Sequence, residues 1–124
     1  MTTGYIDRHQ HAVIPVDLFD HNNRLRRVEA MIDTGFDDFL ALPYDVVQNL
    51  GLARAGIVSM QVATAQSEDF DAYAAAVWWF GNRLPIRVLQ SPYEIIVGTR
   101  LLWNSRLTLE LWDGGLVAVE ASGR

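Results

Sequence analysis

Cysteine is absent from this chain of 124 residues, and runs of basic or apolar residues are short. Without cysteine there are no disulfides, no thiolate nucleophile and no zinc site built on thiolates. Ten basic residues against fifteen acidic ones give a net charge of −5, which argues against binding to nucleic acid phosphates. The longest apolar stretch, residues 72–80, is too short to span a bilayer, and the N-terminus lacks a signal-peptide layout. We therefore expect a cytoplasmic protein with no membrane or nucleic acid partner.

The composition predicts one globular domain over residues 1–124. Half of the residues are apolar and a fifth are charged, so the chain can bury a core. A domain of this size is nevertheless small to enclose a deep substrate cleft by itself. A cleft shared between the subunits of an oligomer is therefore worth considering.

The apolar pattern predicts a mainly β, closed barrel-like domain with two short helices. One helix is expected at 44–50, because Pro43 precedes it and Gly51 follows it. A second short helix is expected at 99–103. The alternation of apolar and turn-forming residues predicts strands at 11–19, 25–32, 39–42, 57–65, 70–80, 84–89, 94–97, 107–112 and 116–120.

Two short motifs stand out against this pattern. Asp33, Thr34 and Gly35 interrupt an apolar strand, and another extended apolar run follows at residues 39–42. About sixty residues later, residues 95–102 read Ile-Ile-Val-Gly-Thr-Arg-Leu-Leu. Asp-Thr-Gly alone is a common triplet. The occurrence of both motifs in this order is much more specific.

Together these motifs resemble a retropepsin-like aspartic protease, the single-domain class that includes retroviral proteases and small bacterial relatives. Residues 31–40 resemble the active-site loop, and residues 96–102 resemble the apolar-apolar-Gly element with the helix that follows it. The likeness in order and spacing covers about residues 11–120. It implies an aspartic endopeptidase that acts on peptide or protein substrates without a cofactor, and a two-fold homodimer.

The chemistry of peptide hydrolysis agrees with this resemblance. One carboxylate must be ionised to activate water, while a second must hold a proton for the substrate. Two aspartates in hydrogen-bonding contact share one proton, because ionising both is costly. A chain with a single Asp-Thr-Gly obtains its second aspartate only from a symmetric partner, so the cleft would lie between two subunits.

The resemblance also implies roles for individual residues. Asp33 is the catalytic aspartate, and the Thr34 hydroxyl would hydrogen-bond across the two-fold axis. Gly35 would permit the turn and a close approach of the substrate backbone. Asp37 and Asp38 match positions that line the cleft and contact the substrate main chain.

Further positions belong to the flap and to the support of the site. The flap, a hairpin that closes over the substrate, matches residues 63–70, and we expect Ala65, Gln66 and Ser67 to contact the substrate there. Phe36, Gly98 and Arg100 are expected to support the site, with Phe36 packed under the loop.

The chain departs from the retroviral pattern at three places. Phe36 replaces an alanine, and the flap has no glycine. Thr99 stands where retroviral enzymes have an arginine, and Arg100 follows one place later. The ion pair that this arginine makes with the aspartate matching Asp37 is therefore not carried over.

Other functions remain open to the sequence alone. Clustered carboxylates at Asp33, Asp37 and Asp38 suit magnesium, but the residues of phosphoryl chemistry are missing around them, so no metal site is predicted. The main alternative is a catalytically silent protease-like module that binds peptides or assembles. A purely structural β-barrel is disfavoured by the paired motifs.

Overall fold

The computed structural model describes residues 1–123, which form one ten-stranded sheet with two short helices. The helices are α1 (Tyr44–Leu50) and α2 (Thr99–Leu102). The strands are β1 (Thr2–Ile6), β2 (Ala12–Phe19), β3 (Leu25–Ile32), β4 (Leu40–Pro43), β5 (Ala53–Gln61), β6 (Ser67–Trp79), β7 (Asn82–Ser91), β8 (Ile96–Val97), β9 (Ser105–Leu109) and β10 (Leu116–Ala121). The prediction of a mainly β domain is confirmed.

The sheet runs in the order β5-β6-β7-β4-β8-β3-β2-β1-β10-β9, and β6 also pairs with β2. This extra pairing, Asp17 with Trp78 and Leu18 with Val77, turns the sheet back on itself. The enclosed side is filled by apolar residues from most strands and from α1 and α2. Complete closure into a barrel stays a prediction.

The short strand β8 determines where the two sequence motifs lie. It pairs in parallel with the end of β3, Met31 with Ile96 and Ile32 with Val97, and antiparallel with β4. The loop that follows β3 and the helix that follows β8 therefore leave the sheet side by side. Strand pairing thus brings residues 33–38 next to residues 98–102.

Helix α1 has the boundaries expected from its sequence. Pro43 precedes its first residue, and Gly51 ends it in the left-handed conformation with φ of 66°. A glycine adopts this conformation without the steric penalty of a side chain. Val47 and Leu50 face inward and complete the core on this side.

Two strand predictions need correction. The hairpin turn expected at residues 66–69 lies at 62–66, because Ala65 takes φ of 63° and its N–H bonds to the Val62 carbonyl at 2.9 Å. The polar residues 67–69 instead continue β6, where they are exposed and cost no desolvation. Strand β1 was not expected, and it pairs with β10 and β2.

The alternating apolar positions of residues 116–121 suggest that this terminal strand could pair with its counterpart in a second chain, but most of it is already paired within the chain. Strand β10 lies between β1 and β9, so Val117, Ala118 and Val119 are paired on both sides, whereas Glu120 and Ala121 pair with β9 alone. The free edges of the sheet are β9 and β5 instead. The middle of β10 is therefore not free to pair with a second chain.

The turn between β2 and β3 depends on Asp20. Its carboxylate accepts hydrogen bonds from the backbone N–H groups of Arg24 at 3.0 Å and Asn22 at 2.9 Å, and from the Arg26 side chain at 3.4 Å. The bond from Arg24 contributes most to lowering the pKa of Asp20 below its usual 3.8. The ionised carboxylate therefore stabilises the fold.

We expect this stabilisation to disappear in acid. A carboxylate whose pKa is lowered by folding stabilises the folded state above about pH 4. This stabilisation is lost as the pH falls through the folded-state pKa. The stability advantage of wild type over Asp20→Asn should therefore shrink below about pH 4. Urea unfolding between pH 2 and pH 7 measures this, with Asp113→Asn as an exposed control. A stability advantage of wild type over Asp20→Asn that stays constant with pH would contradict the role of the charge.

Candidate active site

The Asp33 loop, residues 33–38, is held by hydrogen bonds to the second motif. The Asp33 N–H donates to the Val97 carbonyl at 3.0 Å, which continues the pairing of β3 with β8. The Thr99 N–H donates to the Phe36 carbonyl at 2.9 Å, and the Thr99 hydroxyl donates to the same oxygen at 3.3 Å. The loop and α2 therefore form one unit, and Thr99 is a structural residue that sequence reasoning missed.

Asp33 itself lies where β3 ends. Its Oδ1 accepts a hydrogen bond from the Gly35 N–H at 2.9 Å, which fixes the carboxylate relative to the backbone. A side chain on Gly35 would put its Cβ 3.2 Å from that oxygen, a tight contact. Thr34 is exposed at the top of the turn. Glycine at position 35 thus leaves space beside the carboxylate.

Gly98 is required for close packing. A Cβ at this position would overlap the backbone carbonyl oxygens of Asp38 and Phe36 and approach the Phe36 ring to 2.7 Å. The φ of Gly98 is −106°, so space and not backbone strain imposes the glycine. The close approach of α2 to the Asp33 loop depends on this missing side chain.

A cavity of about 580 Å³ opens beside Asp33. The Asp33 loop contributes Gly35, Phe36 and Asp37 to its wall in addition to the aspartate. The rest of the wall is mostly apolar and comes from the β5–β6 hairpin and from β4, β7 and β8: Ala41, Met60, Gln61, Val62, Ala63, Phe70, Leu89, Gln90, Ser91, Pro92 and Ile96. The site thus combines one carboxylate of the Asp-Thr-Gly turn with an apolar cleft.

The β5–β6 hairpin occupies the position expected for a flap, but the residues that it places in the cavity wall differ from the three that we expected to contact the substrate. The hairpin residues in the cavity wall are Met60, Gln61, Val62, Ala63 and Phe70, of which Ala63 and Phe70 belong to the stretch that matches the flap. Ala65, Gln66 and Ser67 are exposed at the hairpin tip and lie outside the wall in the single chain. Their contact with a substrate stays a prediction. Phe36, expected under the loop, is half-buried in the cavity wall.

Asp38 does not face the cleft, contrary to expectation. Its side chain is 1% exposed, and Oδ2 accepts hydrogen bonds from Arg87 Nε at 3.0 Å and Nη2 at 2.6 Å. Oδ1 accepts one from the Phe39 N–H at 2.8 Å. Both oxygens are used inside the protein, so Asp38 cannot contact a substrate. It holds the Asp33 loop to β7.

Arg87 was missed because its contact spans 49 residues of sequence. It belongs to the outward-facing residues of β7, where an arginine is an ordinary solvent-exposed residue. No local pattern marks it.

Arg100, which we expected to support the site, contacts neighbours of Asp33 through its backbone and through its guanidinium. Its N–H donates to the Asp38 carbonyl at 3.3 Å, and its guanidinium lies 5.6 Å from the centre of the Phe39 ring.

Replacing Arg87 with Met should destabilise the fold by about 2 kcal/mol, because hydrogen bonds to a buried charged group are lost while the carboxylate stays buried. The matched control is Arg54→Met, since the Arg54–Asp71 pair has a similar length but is half exposed on both sides. That control should cost less than about 1 kcal/mol. Urea unfolding compares the two. Equal losses would contradict the structural role of Arg87.

Among residues 1–123, the His, Asp and Glu side chains form no group of three that could hold a metal ion. Asp38, one of the three carboxylates considered from the sequence, is bound to Arg87. Over the same residues, no helix is long and apolar enough to cross a membrane.

No protein-family model and no curated protein matches this chain. Among solved structures, its fold is similar to the crystal structure of a retropepsin-like aspartic protease from Rickettsia conorii, with a TM-score of 0.50. The two chains are 16% identical, and the match covers 94% of this chain and 92% of the other. The chain therefore has a retropepsin-like fold. At 16% identity the similarity shows the fold alone.

Proposed function

We propose that this protein is an aspartic endopeptidase in which two chains each contribute one Asp33. The observation that carries the proposal is the position of Asp33: its carboxylate, fixed by the Gly35 N–H at 2.9 Å, lies in the wall of a largely apolar cavity. The retropepsin-like fold supports the same reading. A peptide in an extended conformation is the substrate that such a cleft accommodates.

The proposed reaction needs both aspartates. One Asp33 is ionised and takes a proton from a water molecule, whose oxygen attacks the carbonyl carbon of the peptide bond. The other Asp33 is protonated and donates its proton to the carbonyl oxygen, giving a tetrahedral intermediate. When the intermediate collapses, the C–N bond breaks and the amine leaves with a proton from the pair. Two adjacent carboxylates hold one shared proton more readily than none, which suits this division of roles.

The neighbouring residues would position the two loops and the substrate. Thr34 is exposed next to Asp33, so its hydroxyl is available to a second chain. Asp37 is exposed in the cavity wall and can accept hydrogen bonds from substrate main-chain N–H groups. The apolar side chains of Met60, Val62 and Leu89 favour apolar substrate residues next to the cleaved bond.

Incubation with a library of unfolded peptides tests the proposal. We expect cleavage that a statine-type inhibitor, which mimics the tetrahedral intermediate, suppresses and that a metal chelator does not. Peptide binding at the cavity without cleavage would instead favour the silent peptide-binding module. Cleavage that requires an added metal ion would overturn the aspartic mechanism.

A further inference from the structure

A second cavity, of about 690 Å³, opens on the sheet away from Asp33 and is called the Trp78 cavity. It shares no wall residue with the cavity beside Asp33. Its wall includes Arg27, which precedes Asp33 by six residues. Six residues of extended strand span about 20 Å. The volume lies within the range of small-molecule sites, about 300–1,000 Å³.

The Trp78 cavity lies where two strands separate along the same edge of β2. Strand β1 pairs with residues 12–13 of β2, and β6 pairs with residues 17–18. Pro15 lies between these two pairings and contributes to the cavity wall. Because proline has no N–H, it cannot donate a hydrogen bond to an added strand. An extended peptide is therefore poorly suited to this edge.

Trp78 is 45% exposed, yet its ring is held in place. The Phe19 ring meets it edge-on, with the ring centres 6.5 Å apart and the planes at 78°. The Arg83 guanidinium lies over the same Phe19 ring, 4.1 Å from its centre, and donates to Asn23 Oδ1 at 2.6 Å. A fixed indole offers a flat apolar surface to a ligand, and little side-chain freedom is lost on binding.

A pair of charged side chains lies next to this indole. Asp17 is the cross-strand partner of Trp78 on one side and of Arg27 on the other, so the three side chains share one face of the sheet. Arg27 Nε donates to Asp17 Oδ1 at 2.9 Å, and Nη2 donates to Oδ2 at 3.2 Å. The two N–H groups of Nη1 and further lone pairs on both carboxylate oxygens are left for a ligand.

We propose that the Trp78 cavity binds a neutral saccharide, at a site separate from Asp33. The Asp17–Arg27 pair has no net charge, so it favours neither an anion nor a cation. Hydroxyl groups both donate and accept hydrogen bonds, so neighbouring hydroxyls on one sugar ring match the donors of Arg27 and the acceptors of Asp17. The C–H face of the same ring packs on the Trp78 indole.

Titration of the full chain with neutral trisaccharides, followed by nitrogen-15 NMR, tests the proposal. The probes are chitotriose, cellotriose, maltotriose and mannotriose. We expect at least one to bind with a Kd of about 1 mM or below. Binding should shift the Trp78 indole N–H and the Asp17 amide and leave the Gly35 amide unchanged. Sialyllactose, an anion, and spermidine, a cation, should bind at least about tenfold more weakly.

Replacing Trp78 with Leu tests the indole surface. Leucine keeps an apolar side chain against Phe19 but removes the flat ring, so the Kd for the bound trisaccharide should rise by at least about tenfold. The matched control is Trp112→Leu, since Trp112 is 62% exposed in the connection between β9 and β10. That control should leave the Kd within about twofold. Circular dichroism confirms that each variant remains folded.

Replacing Arg27 with Met tests the hydrogen bonds independently of the tryptophan. The Kd should rise by about tenfold, because the donors beside Asp17 are lost. The control is Arg54→Met, since the Arg54–Asp71 pair has the same N–O distance of 2.9 Å but lies outside the Trp78 cavity. That control should leave the Kd within about twofold.

Several outcomes would overturn the saccharide site. These are no shift with any of the four trisaccharides at about 20 mM, shifts at Gly35 in place of Trp78, tighter binding of sialyllactose or spermidine, or equal losses in the variants and their controls. Peptide cleavage is not measured in these titrations, so each of these outcomes leaves the proposed peptidase as it stands.

Discussion

Asp33→Asn should lower the rate of peptide cleavage by at least about a thousandfold, because a carboxylate that moves a proton in the transition state is lost. The amide has almost the same shape as the carboxylate, but it cannot take a proton from water. Its Oδ1 can still accept the hydrogen bond from the Gly35 N–H, so the turn should keep its geometry. We expect the midpoint of thermal unfolding to change little.

The control for this substitution is Asp113→Asn. Asp113 is exposed in the connection between β9 and β10, away from the cavity wall. That variant should cleave the peptide library at the wild-type rate. Cleavage near the wild-type level by pure Asp33→Asn protein would show that the activity does not depend on this aspartate, and the assignment would fail.

Gly98→Ala is the second substitution for which we expect a large effect, in this case on stability. The new methyl group would overlap the carbonyl oxygens of Asp38 and Phe36. The Phe36 oxygen accepts the Thr99 N–H, so it cannot move without separating α2 from the Asp33 loop. We expect the free energy of unfolding to fall by about 3 kcal/mol, at the upper end of overpacking effects. Cleavage should fall as well, since the loop shifts.

A second glycine provides the comparison for Gly98. Within residues 1–123, no heavy atom lies within 4 Å of the position that a Cβ on Gly114 would take, although its φ is 79°. Gly114→Ala should therefore cost only backbone strain, about 1 kcal/mol. Urea unfolding of both variants separates the two effects. If Gly98→Ala were no more costly than Gly114→Ala, the close contact between the motifs would be wrong.

The sequence predicted those features of the fold that depend on neighbouring residues. The boundaries of α1 follow from Pro43 and Gly51, and the apolar runs before the two motifs predicted the strands β3 and β8 that lead into them. The hairpin turn at residues 62–66 was misplaced because exposed polar residues 67–69 fit a strand as well as a turn. Hydrophobic patterning does not distinguish these two cases where both faces of a strand are exposed.

The errors at the site have a different origin. Asp38 was expected in the cleft because it follows Asp37, but Arg87, distant in sequence, draws its carboxylate into the protein. Strand β10 was expected at a dimer contact because its alternating apolar pattern predicts one buried face. In the structure Val117, Ala118 and Val119 are all buried, so both faces of β10 are covered, and β1 and β9 pair along its two sides. Contacts between distant residues decide these features, and no local pattern records them.

The central claim is that two Asp33 side chains, one from each chain, act together. An equal mixture of wild type and Asp33→Asn, whose subunits are allowed to exchange, tests it most directly. Random pairing leaves about a quarter of the dimers with two intact aspartates, against half before exchange. The cleavage rate should therefore fall to about half of its initial value as exchange proceeds. An unchanged rate after demonstrated exchange would mean that a single Asp33 suffices, which would contradict the account.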